Sequence, residues 1–598
     1  MRSSLSKGTA FLLYGLALAA PQSSTSGVSK RQDQPSDPNQ GDSNSASCNT
    51  PSKRDCWTNG FDINTDYEAN IPDTGKTRTY ELVLTEHSTY NKADGVNKNT
   101  AMLINGGYPG PNIKADWGDT VQVRVVNNLK TNGTSIHWHG VRMLNNNIND
   151  GVNGITECPI PPGSSKTYSW RAEQYGSSWY HSHFSDQYAN GVAGTIQIDG
   201  PTSANYDEDL GVLPISDWYY KSADEIRSSF TAPAAVPASD NILFNGTNVN
   251  KNGGGSYARM TLKPGKVHKI RLINMSVDNT FSVSLVGHKM KVTGTDFVPV
   301  KPFDTDSLYL SVGQRYDVLI DANQDAKSYW FNVSFPSNRL CGTSNINKPA
   351  MIFQYEGASN ALPKDAGTTP TDAQCQDKTD FEPIVSHDID QTAFQKTSDN
   401  SLDVTVDTSR TTGQQRVYWK VNGQDMAVDW DEPTLSYLAK GNTSYPKQYN
   451  VFEVPNNNDW AFWVVENLFP APHPMHLHGH DFYVLGHSEP ASSGRGDGVR
   501  FNPQTDTSKL NFKNPTRRDV TTLPGRGWLV VAFKTDNPGA WLFHCHIAWH
   551  ISQGLSVQFL EGAKDIPNTF KIDDIDSMCQ QWDDYSANAK YQESDSGL

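Results

Sequence analysis

Three stretches far apart in the chain repeat one another, and this repeat limits the possible fold more than any other feature. Residues 178–184 read SWYHSHF, 328–335 read SYWFNVSF and 540–547 read AWLFHCHI. Each follows a similar segment: PGSSKTYSW (162–170), VGQRYDVLI (312–320) and PGRGWLVVAF (524–533). Upstream, VQVRVVNNL (121–129), HKIRLINMS (268–276) and WAFWVVENL (460–468) form a second threefold echo, each a strand-like run closing on a polar turn. After these come SIHWHG (135–140), FSVSLVGH (281–288) and PMHLHGH (474–480). Self-similarity at long spacing marks repeated structural units. The runs are rich in Val, Thr, Tyr and Trp and punctuated by turn residues, which is β texture. The expectation is an all-β chain of three similar domains in tandem, roughly 45–201, 202–384 and 385–598, with 357–380 as the linker into the third. A chain of 598 residues is in any case too long for one core.

The first and third copies carry histidines where the second has FNVSF and FSVSL. Of sixteen histidines, ten fall in HWH (137–139), HSH (181–183), HPMHLH (473–478) and HCHIAWH (544–550). Side chains two apart on a strand share a face, so each H-x-H pair presents two imidazoles together. The four pairs are His137 with His139, His181 with His183, His476 with His478 and His544 with His546. Two pairs come from each outer domain, which puts the site between those domains. Eight imidazoles suit a group of metal ions rather than one, but do not choose between copper, zinc, iron and nickel.

The stretch HCH makes the choice. Cys545 must face away from its two neighbours, toward a separate metal one strand thickness away. His550, five residues on, and His473, before the turn at Pro474, can reach the same metal. One Cys with two His is the donor set of an electron-transfer copper site, and Leu555 stands where such sites often carry a methionine; a non-donor there raises the potential. Structural zinc would also accept Cys545, His473 and His550, yet zinc cannot relay electrons and would leave the shared HCH without purpose. His480 has no unfilled role, and His87, His268, His288, His387 and His487 are isolated.

Arg2 and Lys7 before FLLYGLALAA (11–20) read as a signal peptide over 1–20. A propeptide over 21–31, ending at Lys30-Arg31, and a disordered polar segment over 32–47 would follow. An extracellular, monomeric protein is expected, with N-glycans at some of Asn132, Asn245, Asn274, Asn332 and Asn442. Six of the seven cysteines can pair in an oxidising compartment, leaving Cys545. A net charge of −15 argues against nucleic acid and anionic membrane as partners.

With HWHG, HSHF, HPMHLHGH and HCHIAWHISQGL, the chain from Cys48 to Leu598 resembles the multicopper oxidases, in particular fungal laccases of the ascomycete type. The resemblance implies three cupredoxin-like Greek-key β-barrels and four copper ions. A type 1 copper would be held by His473, Cys545 and His550 with Leu555 axial, and a type 2 copper by His137 and His476. The type 3 pair would take His139, His181 and His546 on one ion and His183, His478 and His544 on the other. Disulfides Cys48–Cys56, Cys158–Cys579 and Cys341–Cys375 are implied too. The ending DSGL (595–598) looks like the mature terminus of this group, whose tail plugs a channel toward the cluster. The implied activity couples one-electron oxidation of phenols and aryl amines to four-electron reduction of O2 to water.

Asp150, in NINDG, matches a proton-relay carboxylate of the family, although a turn Asp before Gly fits the local sequence as well. Asp240, in ASDNILFNG, matches a position beside the type 1 pocket, where a carboxylate can accept the phenolic proton; a loop Asp is the plain alternative. The loop KNGGGSY (251–257) lacks the Glu that some relatives carry. Competing readings are an ascorbate oxidase, a ferroxidase, or a copper carrier that does not turn over O2. The first usually has an axial Met, the second needs a carboxylate cluster for Fe(II) that the sequence does not reveal, and the third has no use for eight further histidines.

Overall fold

In a computed structural model the described residues are 48–598, apart from 231, 233–236, 398, 412–413, 490–499, 573, 590 and 592–594. The expected signal peptide, propeptide and polar segment, over 1–47, lie outside the described residues.

The strands fall into three successive sets, each of two sheets. In the first, one sheet runs in the order Ala101–Ile104, Thr77–His87, Thr120–Asn128, Ser165–Arg171, and the other Gly110–Asp116, Ala193–Asp199, Gly176–His181, His137–Trp138. The second and third sets each pair a six-stranded with a five-stranded sheet on the same plan. Thr120–Asn128, Val267–Asn274 and Trp460–Asn467 hold equivalent places: each has a parallel neighbour on one side and an antiparallel neighbour on the other. Likewise His137–Trp138, Phe281–Leu285 and His473–Leu477 lie antiparallel to Gly176–His181, Ser328–Ser334 and Gly539–Cys545. The repeat in the sequence is thus a repeat of strand order, in three cupredoxin-like β-units.

A buried asparagine explains why each echo closes on a polar turn. The side-chain amides of Asn127, Asn274 and Asn467 each donate to two main-chain carbonyls at 2.7–3.1 Å, and each Oδ1 accepts the N–H two residues on. All three residues are fully buried. Of the five candidate glycan sites Asn274 is therefore poorly placed, because its amide nitrogen is committed to two carbonyls and buried. Asn132 is buried and Asn332 half-buried, whereas Asn245 and Asn442 are exposed.

The largest apolar core joins the two outer units, with Trp117, Trp138 and Trp179 of the first and Trp541, Phe543 and Trp549 of the third in one cluster. The middle unit packs its own core around Ile270, Val283, Tyr316 and Phe331. This arrangement brings the histidine-bearing sheets of the outer units face to face. Residues 357–380, expected as a linker, carry no strand but are tied down at their end. Cys375 is bonded to Cys341, and Asp377 accepts from Gln314 of the middle unit and from Thr521 and Thr522 of the third. The other disulfides are Cys48–Cys56 and Cys158–Cys579, and Cys545 is free and buried. No helix among the described residues is long and apolar enough to cross a membrane.

Candidate metal centre

The H-x-H pairs were expected within strands; they straddle strand ends instead. His137, His181 and His544 are on strands, and their partners His139, His183 and His546 lie just beyond. Antiparallel pairing then does the positioning. His137 stands opposite His181 and His476 opposite His544, so each outer unit presents a four-imidazole edge. The two edges meet ring on ring, with His137 stacked on His478 and His139 on His476, both at 3.8 Å between centroids. The donor nitrogens fall into close groups: His137, His139 and His476; His139, His181 and His546; His183, His478 and His544.

Cys545 points to the other side of its strand, as alternation requires. Its sulfur lies 3.5 Å from Nδ1 of His473 and 3.5 Å from Nδ1 of His550, and those two nitrogens are 3.1 Å apart. A point equidistant from the three atoms lies about 2 Å from each, close to metal–nitrogen and metal–sulfur bond lengths. Leu555 is fully buried beside them, its N–H donating to the His550 carbonyl and its carbonyl accepting from the Cys545 N–H. Trp419 covers the pair from the third unit, with ring centroids 4.7 Å from His473 and 4.5 Å from His550.

The electrostatics fit metal ligands. Burial, reinforced by neighbouring imidazoles, holds His139, His183, His476 and His478 far below the ordinary histidine range. Burial alone brings His550 down to about 3. These rings are neutral, the form that ligates metal. His137 Nε2, His181 Nε2 and His476 Nε2 are buried without any hydrogen-bond partner. Leaving several such nitrogens unpaired costs about 1–3 kcal/mol each, which a bound cation offsets. Burial likewise pushes the Cys545 thiol up, so a positive charge is needed to make the thiolate. The donor chemistry therefore fits copper at both places.

The outer nitrogens of the rings are held. Asp150 Oδ2 accepts from His478 Nδ1 at 2.8 Å, and its main-chain carbonyl accepts from His137 Nδ1 at 2.9 Å. Asp150 is fully buried just after the short helix Asn147–Asn149, before Gly151 at φ 80°, so it is a turn residue that also holds the His137 and His478 rings. His480 Nε2 lies 3.0 Å from the Glu561 carboxylate. Asp240 is half-buried, its Oδ2 accepting the Tyr220 N–H at 2.8 Å. No hydrogen bond or ion pair joins it to the Cys545 triad among the described residues. Leu598 is fully buried and lines a cavity whose other wall includes His181, His183, His544 and His546.

Sequence reasoning missed Asp519, which takes His139 Nε2 at 3.2 Å on its carboxylate and His476 Nδ1 at 2.8 Å on its main-chain oxygen. It also missed Trp179, packed 4.3 Å from the His181 ring. Trp179 is two residues before His181 on the same strand face, a signal that was available; nothing local marks Asp519.

Fold and site together define a class, and the comparisons agree with it. Family models described as multicopper oxidase match residues 84–203, 209–358 and 410–565, and the chain belongs to that family. It is 53% identical to Laccase-1 of Melanocarpus albomyces over 92% of this chain and 89% of that one. Identity to a laccase of Neurospora crassa is 48%, over 98% and 96% of the two chains. The crystal structure of a laccase from Botrytis aclada superposes with a TM-score of 0.82 at 38% identity, covering 92% of this chain and all of that one. Within the family the chain's place is among the ascomycete laccases, and copper is its cofactor.

Proposed function

We propose that the chain is an exported laccase that oxidises phenols and aryl amines with O2 and holds four copper ions. His473, Cys545 and His550 would hold the type 1 ion, with Leu555 packed beside them. His137 and His476 hold type 2; His139, His181 and His546, and His183, His478 and His544, hold the type 3 pair. The observation that carries this reading is the placement of Cys545. Its sulfur is 3.5 Å from two imidazole nitrogens on one side, while its chain neighbours His544 and His546 sit in the eight-imidazole cluster on the other. Bound copper supplies one-electron storage, which matches successive one-electron oxidations of a phenol to the four-electron reduction of O2 to water.

The chain's own residues do the rest. His550 keeps 4% of its surface accessible while His473 and Cys545 keep none, so an organic substrate approaches the edge of His550. The peptide units from Cys545 to His544 and His546 are the shortest covalent path between the two sites. Asp150 fixes the rings of His137 and His478 and is the carboxylate assigned to proton delivery. Asp240, with one oxygen committed to Tyr220, offers the other to a phenolic proton. Domains over 45–201, 202–384 and 385–598, an extracellular monomer, and glycans at Asn245 and Asn442 complete the reading.

Metal analysis of purified protein together with O2 uptake on a phenol, ascorbate and Fe(II), side by side, tests it. Copper, a strong absorption near about 600 nm and preference for the phenol are expected. Zinc in place of copper, or a faster rate on Fe(II) or ascorbate, would sink it.

A further inference from the structure

The middle unit holds none of the clustered histidines, yet it sends an arginine to the heart of the site. Arg315 begins the strand Arg315–Asp321 and is fully buried. Its guanidinium meets Asp519 as a two-pronged fork, Nη1 to Oδ1 at 2.5 Å and Nη2 to Oδ2 at 2.6 Å. Asp519 belongs to the third unit and His139, which it holds at 3.2 Å, to the first. All three units therefore meet at one carboxylate. The partner of His139 on its far side is cluster-facing: Nδ1 is 3.1 Å from His546 Nε2.

The repeat makes the arginine conspicuous. Ile273, Val126 and Glu466 each precede the recurring turn asparagine, and across the sheet they face Arg315, Ser165 and Trp528. Only the middle copy has a charge long enough to reach out of its unit. Asp296 of the same unit fixes the arrangement: it accepts the Arg315 N–H at 3.0 Å and the Asp519 N–H at 3.1 Å, and it pairs with Arg518. Backbone comes close as well. At Gly313, with φ 88°, a Cβ would lie 3.1 Å from His139 Cε1 and 3.2 Å from His546 Cδ2, so that position must stay bare for the rings to sit where they do. A dry ion pair of this kind is poor value as a stabiliser, since desolvation offsets most of its attraction; its better attested use is to fix one arrangement among several.

We propose that Arg315 is a positioning residue of the oxygen-reducing cluster, holding Asp519 so that His139 and His476 present fixed nitrogens to the metal. The proposal rests on the assignment of those histidines to copper given above. A carboxylate gripped on both oxygens cannot rotate. Its Oδ1 then takes the proton-bearing Nε2 of His139, leaving Nδ1 for metal, and its main-chain oxygen takes Nδ1 of His476, leaving Nε2. Lysine, a point charge, cannot grip both oxygens. Asparagine at 519 has one acceptor for three facing donors, Arg315 Nη1 and Nη2 and His139 Nε2, so the fork is broken whichever way the amide turns.

The test compares Arg315→Lys, Arg315→Met and Asp519→Asn with the parent protein, each loaded with copper. The readouts are copper per chain, the type 2 electron paramagnetic resonance signal, and the blue absorption of the Cys545 site as an internal check on folding. Expected are a loss of about 10- to 100-fold in copper affinity at the cluster and an altered type 2 signal, with the blue absorption per chain unchanged and Arg315→Lys the mildest of the three. Asp519→Asn preserves side-chain volume and decides the matter if Arg315→Met does not fold. Parental copper content and type 2 signal in Asp519→Asn overturn the proposal. So does parallel loss of blue absorption and cluster copper, which would make the fork a general clasp between units. A parent protein that binds no copper would instead overturn the functional assignment itself.

Discussion

Cys545 belongs to one site through its side chain and to another through its peptide bonds, and replacing it separates the two. Cys545→Ser removes the thiolate while leaving His544 and His546 on the same backbone. Its expected phenotype is loss of the blue absorption and of phenol oxidation, with copper retained in the cluster, checked by metal content and spectroscopy on one sample. Asp150 tests the opposite half. Asp150→Ala releases His478 Nδ1 from its 2.8 Å carboxylate bond while the main-chain bond to His137 remains. Supports of this kind are worth about 10- to 100-fold in metal affinity or activity. The expected result is that loss in O2 reduction, with the anaerobic bleaching of the blue colour by a phenol unchanged in stopped flow. Slowed bleaching would move Asp150's role to the other site.

At the scale of elements, the turn asparagines make the sharpest prediction because one substitution can be made in three equivalent places. Asn467→Ala strands the carbonyls of Ala471, just ahead of His473, and of Pro524, which follows Leu523, the cross-strand partner of His473. Two buried acceptors without donors cost about 2–6 kcal/mol. Asn274→Ala carries the same cost in a unit without the clustered histidines. Both lower the unfolding midpoint, but only Asn467→Ala weakens the blue colour, and glycopeptide mapping finds Asn274 bare. That position shows where reading the sequence stopped short. NMS reads as a glycan acceptor on its own, although the threefold echo sets Asn274 beside Asn127 and Asn467, neither of which is in a sequon. Glu173, just past the strand Ser165–Arg171, gives the pH test. Burial raises its carboxyl to about 7 against the pull of Arg142 and Arg171. The folded protein then binds this proton more tightly than the unfolded chain, so the contribution is full below about 4.5 and lost as pH rises to about 7. A shift of that size corresponds to at most about 3 kcal/mol. Unfolding midpoints of the parent should carry a falling component across that window which Glu173→Gln removes; equal slopes in the two proteins would refute it.

Over the whole molecule, what could be read from the sequence was local and periodic: strand echoes, H-x-H faces, the cysteine between two histidines. What could not be read was long-range. Asp519 meets Arg315 and His139 only because the outer units share a core and the middle unit is wedged against both, and Trp419 reaches His473 and His550 only through the sheet packing of the third unit. The Cys158–Cys579 bond is the covalent expression of the same closure, linking the first unit to the helix Asp574–Ser586 across 421 residues. That helix also donates Trp582 Nε1 to Asp431 at 2.7 Å and packs Trp582 against Phe184, the neighbour of His183. Downstream, Ser596 donates to the carbonyls of Ile551 and Ser552, and Leu598 lines the cavity beside His181, His183, His544 and His546. Cutting the bond with Cys158→Ser and Cys579→Ser together removes about 2–5 kcal/mol of constraint. The loss falls on the helix and tail, not on the sheet that carries Cys545. In the double variant a chelator should therefore strip the cluster faster than in the parent while the blue colour persists. If colour and cluster copper disappear together, or at the parental rate, the helix does not guard that side of the site.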